Sequence, residues 1–439
     1  MTIIVSKREI FDVMIIREGR TFSSVPSLFD HMVEIDTTRL RETFETYSSI
    51  GQTDNDGLHR LTLSEEDARV RDQFVSDLEQ LGLEVRIDEI GNIFGRREGQ
   101  SPDAAPVLVG SHLDSQPYGG RFDGQLGVLT ALEALRTFED EEIKHERPIE
   151  IVNWTNEEGS RFKPALMGSG TFVGEFSVDK TLAETDADGV TVEEALEAIG
   201  YRGDESCEPR EEIHSYLELH VEQGPILEDN EVAVGIVDGI YGMAWLEATV
   251  HGESDHAGPS PVYSRQDALV AAADVVLNVR RLSSRVADDV VTTVGELEVG
   301  PGSINVVPSS AEFTVDVRSY DDDAVAELVS CVENELDAAC ARENTTYDLE
   351  EIWRITHTEF SSVVRESALE AANVLNIPHQ QMIGGAGHDA SYLNEITDAG
   401  MLFVPSVDGK THNEAEYTEW SDVIGGAKVF TETMRRLAS

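Results

Sequence analysis

The chain has 439 residues, of which 85 are acidic and 33 basic, giving a formal charge of −52 at pH 7. That length exceeds one ordinary core, so two domains are expected, and the 40% hydrophobic content suits a globular chain. The charge argues against nucleic acid or an anionic membrane as partner, since their phosphates would be repelled, and no apolar run approaches the roughly 20 residues that span a bilayer.

In chain order, residues 1–31 stand apart. They carry four basic residues (Lys7, Arg8, Arg17, Arg20) and four acidic ones (Glu9, Asp12, Glu18, Asp30), so the whole net charge arises from residue 32 onward. The basic and acidic residues among the first twelve interrupt any secretory signal. This segment reads as an extension of uncertain status, either mobile or an upstream start. From Val33 to Tyr47 an amphipathic helix is expected. Ser64 with Asp67 has the form of a capping box, and Val70, Phe74, Leu78 and Leu81 then line one helical face. Strands are expected over Leu83 to Ile87 and around Gly91 to Arg96.

Beyond this the pattern repeats: a short apolar run, then a loop rich in His, Asp, Glu and Gly. Val107 to Val109 leads into Gly110-Ser111-His112-Leu113-Asp114. Ile149 to Val152 leads into Asn156-Glu157-Glu158-Gly159. Tyr216 to Leu219 leads into His220-Val221-Glu222-Gln223-Gly224, and Met401 to Val404 leads into a loop holding His412. Apolar strands alternating with helical stretches imply an α/β sheet, where ligands gather beyond the carboxyl ends of the strands. Between Asp238 and Arg354 the texture changes. Alternating segments (Trp245 to Val250, Ala311 to Val317, Tyr347 to Trp353) flank helical stretches Gln266 to Leu282 and Asp322 to Cys340. The expected architecture is a catalytic α/β domain with a central mixed sheet, formed by 32–237 and 355–439. An α+β lid or dimerisation domain, 238–354, is inserted between its two parts.

The acids are dispersed among periodic apolar positions, which reads as a carboxylate-covered surface suited to concentrated salt; only six of the basic residues are lysines. Cys207, Cys331 and Cys340 form no CxxC pair and read as free thiols of a reducing cytoplasm.

A hydrolytic two-metal centre needs oxygen and imidazole ligands, one group shared between the ions, and a base beside the attacking water. His112 and Asp114 lie two apart, so on an extended strand end they point the same way, and Asp114 could orient the His112 ring. Asp123 follows in Gly119-Gly120-Arg121-Phe122-Asp123-Gly124, where glycines permit close backbone approach and the Asp is expected to begin a helix. Adjacent Glu157 and Glu158 after a buried strand are costly unless a positive group sits there; one could ligate while the other takes a proton. Most histidines are surface or satisfied core groups by default: His31, His59, His145, His214, His251, His357 and His379 read so. His220, His256, His388 and His412 stand beside glycine, acid or amide residues and are retained as candidates.

The segments Gly110 to Gly127, Asn153 to Phe162, Glu218 to Pro225 and Val404 to Asn413 together resemble the hydantoinase/carbamoylase branch of the M20 metallopeptidase superfamily, from about residue 32 to the C-terminus. That branch includes N-carbamoyl-L-amino acid hydrolases, ureidopropionases and allantoate amidohydrolases. The resemblance implies two divalent metal ions per subunit (zinc, manganese, cobalt or nickel), one held by His112 and His220, the other by Glu158 and His412, with Asp123 bridging. It further implies Glu157 as general base, and His256 as a lid residue that reaches the partner's site in a homodimer. Gln223, Asn305, Arg318 and His388 would line the substrate. The implied reaction is cleavage of the ureido C–N bond of an N-carbamoyl-L-amino acid or 3-ureidopropionate, which the Ser115-Gln116-Pro117 run favours over allantoate. A dipeptidase is disfavoured because that wider group usually places an acid where this chain has His220. A non-catalytic amino-acid- or metal-binding relative is the alternative of another class.

Overall fold

The computed structural model describes residues 33–286 and 290–439, so the reading of residues 1–31 lies outside the described residues. Two sheets organise the chain. The strands of its first part are β1 (Glu84–Ile87), β2 (Ile93–Arg97), β3 (Val107–His112), β4 (Ile149–Trp154), β5 (Ser215–Val221) and β6 (Val234–Ile240). They are followed by β7 (Gly242–His251), β8 (Val291–Gly300), β9 (Ser310–Ser319) and β10 (Thr346–Ile355), and then by β11 (Thr358–Glu359), β12 (His379–Gly384) and β13 (Asp398–Val404). The large sheet has nine strands in the order β1-β2-β4-β3-β5-β13-β6-β11, with β12 also pairing β6; the small one has the order β10-β7-β9-β8. The chain passes from one sheet to the other between Ile240 and Gly242 and returns between Ile355 and Thr358.

The centre of the large sheet decides where chemistry can happen. β4, β3, β5 and β13 are consecutive neighbours and mutually parallel. Their carboxyl ends therefore lie along one edge, and the four loops singled out in the sequence emerge side by side. β3, β4 and β5 are buried along their whole length, as expected of parallel strands covered on both faces. Helices Gln125–Asp140 and Trp420–Leu437 pack against these strands and each other.

Local chemistry sets the helix starts. Asp36 accepts from the backbone N–H of Thr38 and Arg39 to open Thr37–Ser48. Ser64 accepts from Asp67 N to open Glu65–Gln80, where Val70, Phe74 and Leu78 are buried. The reciprocal half of that capping box is absent, because the Asp67 carboxylate accepts instead from Leu63 N and pairs with buried Arg71 at 2.7 Å.

The small sheet has its own hydrophobic cluster. Ala244, Leu246, Ala248 and Val250 of β7, with Ala311, Phe313, Val315 and Val317 of β9, bury against helices Ala268–Leu282 and Asp322–Glu343. Strand β8 was not anticipated; its residues are half-buried or exposed throughout, so burial left no apolar alternation to read.

Arg60 ties the frame to the carboxyl edge of the large sheet. It is fully buried, and its guanidinium donates to the carbonyls of Tyr47, Ile50 and Leu113 and to Gln125 Oε1, at 2.7–3.0 Å. Leu113 follows His112, and Gln125 opens the helix behind Asp123. Arg60→Met would leave these acceptors buried without donors and should cost about 3 kcal/mol of stability, read from the denaturant midpoint.

Candidate metal centre

His112 is the last residue of β3, and His220 lies within β5, held extended by pairing of the strand with β13, where Phe403 is its register partner. Glu157 and Glu158 follow β4. His412 lies beyond β13 with a positive φ of 51°, and Asp123 precedes the helix Gln125–Asp140. The helix begins two residues later than expected, because Gly124, at φ 63°, takes the cap position and turns the chain. A Cβ at Gly124 would enter the His112 ring, so glycine is required for both conformation and space.

The carboxylate of Asp123 is the meeting point. Its Oδ1 lies 3.4 Å from His112 Nε2 and 3.1 Å from His220 Nε2. Its Oδ2 lies 3.6 Å from His412 Nε2, which is in turn 3.5 Å from Glu158 Oε2. Two groups capable of holding a cation thus form around it: His112, Asp123 and His220, and Asp123, Glu158 and His412. Glu157 Oε2 lies 3.3 Å from His112 Nε2.

Hydrogen bonds preset the donors. His112 Nδ1 donates to the Asp114 carbonyl at 3.0 Å and His220 Nδ1 to the Val221 carbonyl at 3.0 Å, which turns each Nε2 toward Asp123; His220 Nε2 also meets the backbone N–H of Gly124 at 3.1 Å. His112 Nε2 is buried without a hydrogen-bond partner, as a ligand atom awaiting a cation would be. The role expected of the Asp114 carboxylate is corrected here. The turn after β3 brings its backbone carbonyl to the ring, and the carboxylate, with Oδ1 3.6 Å from Nδ1, accepts the amides of Glu157 and Glu158, each at 3.3 Å. Gln116 clamps Glu158, donating from its backbone N at 3.0 Å and from Nε2 at 2.8 Å.

Burial pushes Glu157 well above the usual carboxylate range and Glu158 up to about 8, with neighbouring acids adding to both. Burial also raises Asp123, but His220 and His112 outweigh it and hold the group well below its usual value. So many desolvated acids gathered around two buried histidines fit divalent metal ions, which would supply the missing positive charge. The donor set of nitrogen and carboxylate oxygen suits a transition metal.

Sequence reading missed several residues of this centre. Buried Glu416 accepts from the backbone N of Phe122 and Asp123 (2.9 and 3.0 Å) and from Thr411 Oγ1 (3.2 Å), fixing the loop that carries Asp123. Its place four residues after His412 was the available signal. Glu218, two residues before His220 on β5, shares its face; it accepts from Ser111 Oγ at 2.6 Å and Tyr216 OH at 3.1 Å. Asp389, beside His388, is buried and bonds Ser169 Oγ.

The remaining candidates divide. Gln223 Nε2 donates to Asp123 Oδ2 at 2.8 Å. Gln223 and Arg318 line a cleft of about 230 Å³, together with Asp123, Glu157, Glu158 and His412. His388 lies behind it: its ring is 4.4 Å from that of His220, it is buried, and neither ring nitrogen has a partner. His256 and Asn305 are exposed and do not belong to the cleft lining; Ala257 N donates to the Asn305 carbonyl, joining their two loops.

A parallel-centred α/β sheet, a smaller α+β unit over its carboxyl edge and a shared carboxylate between two ligand groups define a two-domain metallohydrolase architecture. The family model described as Peptidase family M20/M25/M40 matches residues 108–436, and the chain belongs to that family. It is 38% identical over 395 residues to an N-carbamoyl-L-amino-acid amidohydrolase of Rhizobium meliloti, covering 90% of this chain and 95% of the relative. It is 32% identical over 401 residues to the allantoate amidohydrolase of Escherichia coli, covering 91% and 97%. A crystal structure of a hydantoinase/carbamoylase family amidase from Burkholderia multivorans superposes with a TM-score of 0.88 at 41% identity, covering 92% of this chain and 98% of the other.

Gly124→Ala should weaken metal binding at least tenfold while leaving the far-ultraviolet circular dichroism unchanged, as measured by chelator competition.

Proposed function

We propose that this chain is a metal-dependent amidohydrolase that cleaves the ureido C–N bond of N-carbamoyl-L-amino acids to amino acid, ammonia and carbon dioxide. The observation that carries this is the Asp123 carboxylate shared between two ligand groups, with Glu157 beside it and Arg318 across the same cleft. His112 and His220 would hold one divalent ion and Glu158 and His412 the other, with Asp123 common to both. Such a pair polarises a carbonyl and acidifies water.

The protein's own residues do the rest. Glu157 takes a proton from the attacking water and returns it to the departing nitrogen, a role suited to a carboxylate whose burial raises its basicity. Gln223, Thr411 and Glu416 keep Asp123 and its loop in place. Arg318 receives the substrate carboxylate, for which a planar guanidinium offers paired donors. His256 Nδ1 accepts from Gly258 N at 3.0 Å, which places the ring proton on Nε2 as a donor toward a developing oxyanion. His256 and Asn305 stand outside their own cleft, and this supports a homodimer in which each copy completes the other's site. Exposed Ile304 and Tyr263 on the same loops suit such a contact.

Zinc, manganese, cobalt and nickel all accept this donor set. The dispersed surface acids support function in concentrated salt. Cys207, Cys331 and Cys340 are free thiols, in keeping with a reducing cytoplasm. Among the described residues no helix is long and apolar enough to cross a membrane.

Ammonia release is the deciding measurement: the protein is stripped of metal, reloaded, and offered N-carbamoyl-L-amino acids, 3-ureidopropionate and allantoate in molar salt. Metal-dependent turnover of a carbamoyl amino acid is expected; best turnover of allantoate would move the assignment to that activity. Silence on all three with metal bound would favour a non-catalytic relative. Glu157→Gln should abolish turnover with metal still bound, and Arg318→Ala should raise KM while leaving the fold intact. An active Glu157→Gln enzyme would remove Glu157 as the base.

A further inference from the structure

Half of the tryptophans in this chain, two of four, stand on the open face of the small sheet and line the metal cleft. Trp245 of β7 and Trp353 of β10 are register partners across the strand pair, with ring centroids 4.8 Å apart at 56°. They are 42% and 37% exposed, whereas the alternate positions of β7, Ala244 and Leu246, are fully buried beneath the helices. What sets this pair apart from other exposed apolar side chains is its place: both rings line the cleft that also holds Arg318, Asp123 and Glu157, which suits a ligand contact.

The pair is held in a defined place. Trp245 Nε1 donates to Asp316 Oδ2 at 3.2 Å. The same Asp316 carboxylate takes Arg318 Nε at 2.9 Å and its Nη2 at 2.7 Å, while Arg318 Nη1 donates to the Gly385 carbonyl at 2.8 Å. A guanidinium has five N–H donors, so one on each terminal nitrogen remains to face a carboxylate. Asp316 thereby couples the carboxylate receptor to the indole beside it. The metal ligands form the opposite wall, with Met243 and Leu166 completing the apolar lining.

We infer that Trp245 and Trp353 seat the substrate's side chain, and that the substrate is an N-carbamoyl α-amino acid with a large apolar or aromatic side chain. This rests on the amidohydrolase reading above and narrows it. With the ureido group at the Asp123 edge and the α-carboxylate on Arg318, the third substituent of the α-carbon meets the indole pair. 3-Ureidopropionate has no such substituent and would leave both rings in water. Burying a phenyl group between rings and Met243 is worth roughly 10- to 100-fold in kcat/KM over a methyl group.

The test compares kcat/KM for N-carbamoyl-L-phenylalanine, N-carbamoyl-L-alanine and 3-ureidopropionate in the metal-loaded enzyme and in Trp245→Ala, Trp353→Ala and Trp353→Phe. The expected result is a preference for phenylalanine of at least tenfold. In both alanine variants that preference falls below about threefold, because the loss is larger on the phenylalanine substrate than on the other two, and Trp353→Phe retains most of it. Equal or better turnover of the alanine compound or 3-ureidopropionate by the unaltered enzyme would overturn the inference and leave the amidohydrolase reading standing. So would equal losses on every substrate in the alanine variants. Failure to hydrolyse any ureido compound would overturn the reading beneath it, and this inference with it.

Discussion

The structure depends on one buried carboxylate. Asp123 lies between His112 and His220 through one oxygen and faces His412 through the other. For that to be possible the chain must turn sharply behind it, which Gly124 allows, and the Asp123 loop must be pinned from outside the ligand set. Glu416 does the pinning through two backbone amides, and Gln223 and Thr411 hold the second oxygen. These residues come from the end of β3 and the loop after it, from the end of β5 and from the loop after β13. The centre is therefore a property of the assembled sheet edge, and no single segment could form it.

The cost of gathering acids there is met by arrangement. Glu158 is satisfied by Gln116, Asp114 by the amides of the Glu157-Glu158 turn, and Glu218 by Ser111 and Tyr216. Even so, burial keeps Glu157, Glu158, Glu218 and Asp389 raised. Hydrogen bonds alone do not compensate that much buried negative charge, and divalent ions would. The surface acids obey different physics: they are hydrated and screened, and bear on solubility more than on fold.

In the proposed reading the small sheet contributes specificity where the large one contributes chemistry. Its helix-covered face is an ordinary alternating core. Its open face presents Met243, Trp245, Trp353 and Arg318 to the cleft that Asp123, Glu157, Glu158 and His412 also line. Arg318 also links the small sheet to the loop after β12 by donating to the Gly385 carbonyl.

The candidate ligands and the strands before them could be picked out in the sequence because most sit near a local pattern: an apolar run followed by His, or by paired Glu, next to glycine. A change in hydrophobic period near Asp238 was legible too, and the first strand of the small sheet begins close by, at Gly242. Other features were decided only by tertiary structure. His220 belongs to a strand because β13 pairs with it, and Asp114 acts through its carbonyl because of the turn that follows β3. Glu416 and Gln116 matter through partners far away in the chain, and strand β8 is an exposed edge without an apolar signature. Local periodicity records what a residue's own segment must bury. Which distant side chain will meet it depends on strand order, and sheet pairing sets that order across hundreds of residues.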